Sequence, residues 1–395
     1  MKRNMCNRIL AAALLLSVVL LTGCRDVAQV PEDPTEVQTE LTLDQRSAIL
    51  NVGDTLQLTA NGADEVFFTS SDPEVASVDD SGKVQAQKKG TAMITATGGG
   101  LTAKCGILVE PAGQMLDLTN TKASAVFSNV QLYHQNEIVD FAADAQSGAF
   151  YMSQQYGQER LVSDTMITKI TQVDGVWQRS EYVHLYNHGF GYFDIEKDGA
   201  DTYLLTESNG AGANQGTTIS RVIWESGVMY DEEFGDTFEL PGLDGGPRPQ
   251  SDADNDVIVV YDFYGRESTY LVYDRSALLN GEENAYLHRF SCASRQTPVN
   301  GEDDSDGKYN SAIRGFAVKD GFIYQLSGNG KIYISVFDLQ GNLQYCHEVE
   351  EYAELSYRAP GGISFSGDEL YIAVNSAENT TLKWTHVWKI EEVTE

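Results

Sequence analysis

Residues 311–343 have the sequence SAIRGFAVKDGFIYQLSGNGKIYISVFDLQGNL. Apolar side chains take alternate positions on both sides of an Asp-Gly pair: Phe316, Val318, Phe322 and Tyr324. Such alternation around Asp-Gly or Asn-Gly is typical of a β-hairpin, because these residues adopt the positive φ of tight turns. A single hairpin cannot bury both of its faces, so this stretch predicts a sheet with neighbours of its own kind.

Four other segments share the pattern of an apolar strand, a turn rich in Gly and Asp, and a strand that ends in Tyr. They are FAADAQSGAFY at 141–151, FDIEKDGADTY at 193–203, DADNDVIVVY at 252–261 and ISFSGDELY at 363–371. The aligned tyrosines lie 47 to 63 residues apart, and a four-stranded propeller blade needs roughly 40–50 residues. We therefore predict a five-bladed β-propeller over residues 131–395. The alternative is an irregular β-sandwich in which this spacing is coincidental.

Residues 1–23 predict a targeting segment, because three basic residues precede the apolar run Ile9–Leu21, which is short for a membrane span. The run leads into the sequence LTGC, which resembles the bacterial lipobox and predicts lipidation of Cys24. The alternative is an ordinary secretory signal with an incidental cysteine. Both alternatives predict an extracytoplasmic chain, and the lipobox predicts a membrane-anchored lipoprotein of the cell surface. Residues 24–38 are polar and predict a flexible tether.

The chain carries 27 Lys and Arg against 58 Asp and Glu, a formal net charge of −31. Such a surface repels nucleic acid and anionic lipid, so we expect no nucleic-acid partner and membrane contact only through Cys24. The sequence contains no GxSxG, HExxH, CxxC or P-loop motif. We expect a monomer without a cofactor. Calcium stays possible at Ser251–Asp256 and Gly301–Gly307, whose oxygen-rich side chains calcium prefers, although both segments also fit solvated turns.

Residues 39–110 contain short alternating runs separated by turn residues, as in a small β-sandwich. The runs NVGDTLQLTA, TSSDPEVASVDDSGKVQAQKKGTAMITAT and AKCGILV resemble the bacterial Ig-like domain, group 2, along its whole length. The resemblance implies an extracellular spacer or adhesion module without a catalytic site. Residues 111–130 then predict a linker. The predicted fold class is all-β, with a small Ig-like β-sandwich followed by a five-bladed β-propeller.

A second resemblance covers residues from about 125 to 392. The segments IVDFAADAQSGAFYMSQQ, TMITKITQVDG, HGFGYFDIEKDGADTYLLTES and GTTISRVIW are similar to a propeller family that includes helveticin J, TagC-type teichoic-acid-associated proteins and receptor-binding proteins of staphylococcal podophages. RGFAVKDGFIYQLSG and APGGISFSGDELYIAV match the late blades of that family. The resemblance implies a five-bladed propeller that binds cell-surface or environmental polysaccharide.

Propellers bind ligands at the end of the central channel where the innermost strands begin. Polar residues expected at that end form the candidate ligand-binding set: Asp140, His188, Asp194, Glu207, Asp262, Arg314 and Arg358. Each has a structural alternative. The two aspartates that begin blades can accept hydrogen bonds from turn amides, and the arginines can pair with nearby carboxylates. The glycines beside His188 allow a close backbone approach, which makes this histidine the sharpest candidate.

The same funnel could serve other functions. A glycosidase would use two of its carboxylates as acid and as nucleophile or base, drawn from Asp140, Asp194, Glu207 and Asp262. Yet a chain with 58 acidic residues supplies such a group by chance, and no glycosidase motif surrounds these positions. An interaction scaffold for other proteins is a third alternative, because propellers also offer flat faces.

Several aromatic residues could stack on sugars or pack between blades: Tyr156, Tyr186, Phe190, Trp224 and Tyr264. Cys292 and Cys346 are the only cysteines in the predicted propeller. They could pair in an oxidising compartment, although we favour free thiols.

Overall fold

The computed structural model describes residues 40–110, 114–134, 136–159, 162–186, 191–207, 216–230, 235–263, 268–282, 285–292, 313–328, 331–349, 359–377 and 383–393. All of these belong to one compact unit, Thr39–Glu395. In this part of the chain no helix is both long and apolar enough to cross a membrane. The predictions for residues 1–38, including lipidation of Cys24, concern residues outside the described ranges and stay predictions.

The first domain is a sandwich of two sheets, with strand orders β2-β9-β8-β5 and β3-β7-β6, and a separate pair β1-β4. Its strands are β1 (Thr42–Leu43), β2 (Ser47–Asn51), β3 (Thr55–Gln57), β4 (Ala60–Asn61), β5 (Phe67–Ser70), β6 (Ala76–Val78), β7 (Lys83–Ala86), β8 (Gly90–Gly98) and β9 (Leu101–Glu110). Alternate residues of β8 are buried: Ala92, Ile94 and Ala96. Small and branched side chains suit the narrow space between two sheets.

The second domain begins at Thr121 and is built from 21 strands within the described residues. They are β10 (Thr121–Val130), β11 (Ile138–Asp144), β12 (Ala149–Glu159), β13 (Val162–Val173), β14 (Val176–Leu185), β15 (Phe193–Asp198), β16 (Asp201–Glu207), β17 (Thr218–Ile223), β18 (Met229–Tyr230), β19 (Asp236–Glu239), β20 (Pro247–Asp252), β21 (Val257–Asp262), β22 (Ser268–Asp274), β23 (Tyr286–Cys292), β24 (Gly315–Lys319), β25 (Phe322–Ser327), β26 (Ile332–Asp338), β27 (Leu343–Val349), β28 (Ala359–Ser366), β29 (Glu369–Ala377) and β30 (Lys383–Glu392). A 3-10 turn at Ala145–Ser147 and a short helix, α1 (Arg275–Leu279), lie between strands.

These strands form five sheets, one for each blade. In order from the channel outward they are β11-β12-β13-β14 with β18 beside β14, β15-β16-β17-β19, β20-β21-β22-β23, β24-β25-β26-β27 and β28-β29-β30-β10. The innermost strands contact one another in a ring that closes from β28 back to β11. The prediction of an Ig-like sandwich followed by a five-bladed propeller is confirmed.

The fourth blade shows how the repeat folds. Asp320 and Gly321 both have positive φ, 51° and 79°, and they join β24 to β25 in the hairpin register that the sequence predicts, Lys319 opposite Phe322. Tyr324 is 1% exposed and meets Phe365 of the fifth blade edge-on, with ring centroids 4.9 Å apart. The tyrosine that ends the repeated motif therefore packs between neighbouring blades.

The predicted linker at 111–130 is too long. Residues 121–130 form β10, which pairs antiparallel with β30 from Thr121 opposite Glu392 to Val130 opposite Thr385. The fifth blade would otherwise expose the outer edge of β30, and an unpaired edge is a site of aggregation. The chain thus closes its ring by joining the start of the propeller to its end.

The innermost strands approach closely at glycines. A Cβ atom on Gly362 of β28 would lie 2.5 Å from the Cβ of Phe141 in β11. Two carbon atoms that are not bonded to each other cannot approach so closely. A Cβ on Gly315 of β24 would lie 3.1 Å from the Cα of Gly362. Glycine at these points allows two backbones to touch, so the channel is narrow where these strands begin.

The sandwich packs directly on the outer strand of the third blade. Ser47 Oγ lies 3.1 Å from His288 Nδ1, and the hydroxyl of Thr91 donates a hydrogen bond to the carboxylate of Asp274. Leu108 of β9 is 2% exposed and belongs to the same apolar cluster as Leu287 of β23. The two domains therefore share a core.

Candidate functional site

We call the end of the propeller at which the innermost strands begin the upper face. Strands β11, β15, β20, β24 and β28 start there, and the second strands of the blades end there. The described candidates lie at this end: Asp140, Asp194, Glu207, Asp262 and Arg314. Two other candidates, His188 and Arg358, lie outside the described residues.

Asp140 is 1% exposed and faces Arg248 of the third blade, which is 2% exposed. Arg248 Nε lies 3.1 Å from Asp140 Oδ2, and an Nη atom donates to the other carboxylate oxygen. The backbone amides of Phe141 and Phe193 also donate to Asp140, at 3.0 and 3.2 Å. Burial raises the pKa of Asp140, while the charge and hydrogen bonds of Arg248 oppose that shift. Its oxygens are thus occupied by links among the first three blades.

Asp194 joins the second blade to the third. Its carboxylate accepts a hydrogen bond of 2.7 Å from the backbone amide of Ser251, and its side chain is 8% exposed. Burial raises its pKa to about 7, against the effect of the bonds from Ser251 and Ile195, because the charged form is costly away from water. The amide that Asp194 accepts belongs to strand β20 of the third blade and not to a turn.

Glu207 and Asp262 each hold the loop that leads into the first strand of their own blade. Glu207 accepts hydrogen bonds from the amides of Gly191 and Tyr192, the latter at 3.3 Å. Asp262 accepts the amides of Asp244 and Gly245 at 2.9 and 3.2 Å. Both carboxylates are buried. In both blades, a carboxylate at the end of the second strand fixes the backbone that leads into the first.

Arg314 lies immediately before β24 and is half-buried. Its backbone carbonyl accepts a 3.0 Å hydrogen bond from Arg248, and its amide donates to Leu326 at 2.8 Å. Its Nε is buried and has no hydrogen-bond partner among the described residues. Of the described candidates, Arg314 has a side chain that is not committed to holding the backbone.

Aromatic rings cover the upper face of the first blade. The rings of His134 and Tyr156 stack with centroids 4.0 Å apart, and the rings of His184 and Tyr186 lie 4.1 Å apart. The hydroxyl of Tyr156 hydrogen-bonds to the imidazole of His184. Burial lowers the pKa of both histidines, although Asp164, 3.8 Å from His184 Nε2, opposes the shift there. The imidazoles are therefore largely neutral at neutral pH.

A second aromatic pair lies at the channel mouth. Phe263 directly follows Asp262 and is 41% exposed. Its ring centroid lies 6.3 Å from that of Tyr192, and the guanidinium of Arg248 stacks over Tyr192 at 4.6 Å. Arg248, which is paired with Asp140, thus packs on Tyr192, and Tyr192 lies beside the exposed ring of Phe263.

The aromatic residues that the sequence offered for stacking on sugars differ in where they lie. Tyr156 and Tyr186 lie in the cluster on the first blade, whereas Trp224 packs edge-on against Tyr151 at 5.0 Å and donates a 2.9 Å hydrogen bond to Glu181. Phe190 and Tyr264 lie outside the described residues. Trp224 therefore has the packing role that we considered as the alternative.

The acidic side chains of Ser251–Asp256 form hydrogen bonds or ion pairs with other residues of the protein. The carboxylate of Asp252 accepts from Asn255, Asp254 pairs with Lys319 at 3.3 Å, and Asp256 accepts from Ser276 at 2.9 Å. Within the described ranges, no group of three His, Cys, Asp or Glu side chains is arranged to hold a metal ion. The segment Gly301–Gly307 lies outside the described residues. Neither Cys292 nor Cys346 forms a disulfide among the described residues.

Sequence reasoning missed Arg248, Tyr192 and Phe263. Arg248 lies between two prolines at the start of an innermost strand, a place equivalent to those of Asp140 and Asp194. That shared position could have identified Arg248 from the sequence. Nothing in the sequence marked Tyr192 and Phe263, because a single Tyr or Phe beside a strand end is common in propeller cores.

Comparisons with known proteins support the fold. Residues 37–105 match the bacterial Ig-like domain (group 2). Among solved structures, the tail fiber of Staphylococcus aureus phage P68 superimposes with a TM-score of 0.52 at 15% identity, over 69% of this chain and 53% of that chain. The chain thus spans about half the length of the tail fiber. A GH43_1 enzyme from Xanthomonas citri superimposes with a TM-score of 0.39 at 12% identity, over 67% of this chain and 90% of that chain. No curated protein sequence matches this chain.

The resemblance to bacterial Ig-like domains is confirmed by the family match. The tail fiber confirms the resemblance to the podophage propellers at the level of the fold. The likeness to helveticin J and to TagC-type proteins stays a prediction.

Proposed function

We propose that this protein is a cell-surface lipoprotein whose propeller binds polysaccharide at the upper face without hydrolysing it. The observation that carries the proposal is that the carboxylates at the upper face bind other parts of the protein, while an aromatic ring there is exposed to solvent. Asp140, Asp194, Glu207 and Asp262 accept backbone amides or pair with arginine, whereas the Phe263 ring is exposed and the Nε of Arg314 has no hydrogen-bond partner among the described residues.

This arrangement suits a sugar ring. The apolar face of a pyranose packs against an aromatic ring, and its hydroxyl groups take hydrogen bonds from polar groups at the edge of the site. Phe263 and the stacked rings of the first blade offer the apolar surface, and Arg314 offers donors. Tyr192 lies beside Phe263, and Arg248 stacks over Tyr192.

The proposed location is the outer surface of a cell. The Ig-like domain supports an extracellular setting, and the LTGC sequence supports lipidation of Cys24. The anchor is tested by replacing Cys24 with alanine and fractionating cells: release of the chain from membranes supports the anchor, and retention overturns it. We also propose a monomer, which sedimentation of the purified chain tests.

Hydrolysis is the second candidate, because a buried carboxyl with a pKa of about 7 is what a general acid requires, and Asp194 has one. The bond from Ser251 to Asp194 is the counter-argument, since it places that carboxyl against the backbone of the third blade. Asp194 could act as a general acid only if its hydrogen bond with the Ser251 amide were broken, and this favours the binding role.

The test is a panel of immobilised polysaccharides probed with the purified full chain, followed by an assay for released reducing ends. Binding that soluble ligand competes away, without release of sugar, supports the proposal. Turnover that is lost in Asp194→Asn selects the hydrolase. No binding to any polysaccharide of the panel favours the third candidate, an interaction scaffold for proteins.

A further inference from the structure

The sandwich and the third blade enclose a cleft of about 420 Å³ at their junction. Its sandwich walls come from β1 with the residues beside it and from β8 and β9, and its propeller wall consists of Pro241 and Tyr286. Small-molecule sites typically have volumes of about 300–1,000 Å³. The cleft lies on the rim of the propeller and is separate from the upper face.

The walls of this cleft are fixed in place. The amide of Gly106 donates a 2.9 Å hydrogen bond to the carbonyl of Arg46, and a Cβ on Gly106 would lie 3.1 Å from the Cα of Leu287. On the propeller side, the hydroxyl of Tyr273 donates to the carbonyl of Pro241 at 3.0 Å. The backbone of the cleft is therefore in place before any ligand binds, and the side chains of Glu40, Arg46 and Lys104 are exposed to solvent.

Its charge is opposite to that of the chain as a whole. Arg46 and Lys104 line the cleft together with one carboxylate, Glu40, in a chain with a net charge of −31. The side chain of Arg46 makes no hydrogen bond or ion pair within the described part of the chain. Its charge acts on the phenol of Tyr286, where it opposes the rise in pKa that burial causes. Arg46 of the sandwich and Tyr286 of the propeller thus line the same cleft.

The remaining lining is mostly apolar, with the hydroxyl groups of Thr42 and Thr102 among it. Leu43 and Met93 of the sandwich line the same cleft as the half-buried ring of Tyr286. The surface thus combines an aromatic ring and aliphatic side chains with a guanidinium, an ammonium and a carboxylate. This combination matches an anionic sugar, whose ring has apolar C–H faces and whose edge carries hydroxyl groups and one charge.

We propose that this cleft binds a carboxylated saccharide, a hexuronate, with the carboxylate on Arg46 and the sugar ring against Tyr286. Arginine binds carboxylates through two parallel hydrogen bonds, and this geometry favours a planar carboxylate over a neutral hydroxyl group. Glu40 accepts hydrogen bonds from the sugar hydroxyls. The site goes beyond the glycan contact at the upper face and does not depend on it.

Calorimetric titration of the full chain with trigalacturonate tests the proposal. We expect saturable binding that Arg46→Gln weakens about tenfold or more, because the charged fork is lost. Arg46→Lys should recover part of the affinity, since it keeps the charge without the fork. Arg179→Gln is the matched control, because Arg179 is an exposed arginine on the first blade, stacked over Tyr133, and it should bind as the unmodified chain does.

Three results would overturn the proposal: no binding of trigalacturonate, equal binding by Arg46→Gln, or equal binding of the carboxyl-reduced trisaccharide. Hydrogen exchange locates the ligand independently of any variant. Protection of amides at 40–46 and 102–106 supports the cleft. Protection at the strand ends of the upper face instead rejects the cleft but leaves the proposed function intact.

Discussion

Arg248 of the third blade donates hydrogen bonds to both carboxylate oxygens of Asp140 in the first blade. The two side chains meet within the channel, past the intervening second blade, and neither is more than 2% exposed. A carboxylate that lines a propeller funnel can serve a ligand or the fold. Here the pairing assigns Asp140 to the fold, and the same holds for the carboxylates that accept backbone amides around it.

Breaking this pair should destabilise the propeller. Asp140→Asn leaves Arg248 buried without its counter-charge, and we expect a loss of about 3 kcal/mol or more in the free energy of unfolding. Denaturant titration followed by tyrosine and tryptophan fluorescence measures the loss. Replacing both partners, as Asp140→Asn with Arg248→Met, should recover part of it because no unpaired charge remains.

Asp174→Asn is the control for that experiment. Asp174 lies in an exposed turn with φ of 51°, a conformation that asparagine also tolerates. This control should unfold as the unmodified chain does. If Asp140→Asn were equally neutral, Asp140 would not hold the blades together, and a ligand role would return.

Stability should depend on pH through Asp194. The ordinary carboxyl pKa is 3.8, and burial raises it to about 7 in the folded chain. The folded state therefore binds the proton more tightly, and the stability that Asp194 contributes is complete below pH 3.8 and is lost as the pH rises to about 7. Asp194→Asn removes this dependence.

The difference in unfolding free energy between the unmodified chain and Asp194→Asn should thus change between pH 4 and 7, by at most about 1.4 kcal/mol per pH unit. Above pH 8 the difference should be constant. Denaturant titrations of both proteins across this range measure it. A difference that is the same at every pH would show that Asp194 ionises normally in the folded chain.

Closure of the ring by β10 should contribute strongly to stability. Phe127 is 5% exposed and packs on Phe150 and Trp177, with ring centroids 5.7 and 5.1 Å away. Phe127→Ala should cost about 3–5 kcal/mol, the usual cost of removing a buried phenylalanine. Ser128→Ala, at an exposed position of the same strand, should change stability by less than about 0.5 kcal/mol. Equal effects of the two substitutions would mean that 121–130 behaves as a linker.

Thiol labelling should separate the cysteines. Burial raises the pKa of Cys105 to about 12 and raises that of Cys292 further, whereas Cys346 is partly exposed. Since the thiolate is the reactive form, iodoacetamide should label Cys346 first in the folded chain. Peptide mass mapping measures the order. A peptide pair joined through Cys292 and Cys346 would show a disulfide between them and contradict this prediction.

Much of the fold follows from local patterns. Asp-Gly turns between alternating strands predict hairpins such as the one at Asp320, and the repeated tyrosine predicts the blade count. The outer strand of the last blade is different. Thr121 pairs with Glu392, and a pairing between the two ends of a domain leaves no periodic mark at either end. The linker prediction failed for that reason.

The candidate site was less predictable than the fold. The upper-face position of Asp140 follows from the repeat, but its role depends on Arg248, which lies 108 residues away in the sequence. Likewise, Glu207 was visible as a polar residue at a strand end, while the amides that bind it come from another loop. Residue type and position predict where a side chain lies, and only the tertiary contacts show which of its atoms are already engaged.

The affinity of the full chain for the polysaccharide selected from the panel tests the central claim most directly, when Phe263→Ala is compared with Phe67→Ala. Phe67 is an exposed ring on the sandwich, 64% exposed against 41% for Phe263. Loss of an aromatic contact should weaken binding about tenfold in Phe263→Ala, with no change in Phe67→Ala and no release of reducing ends by either protein. Equal affinities of the two variants would contradict binding at the upper face.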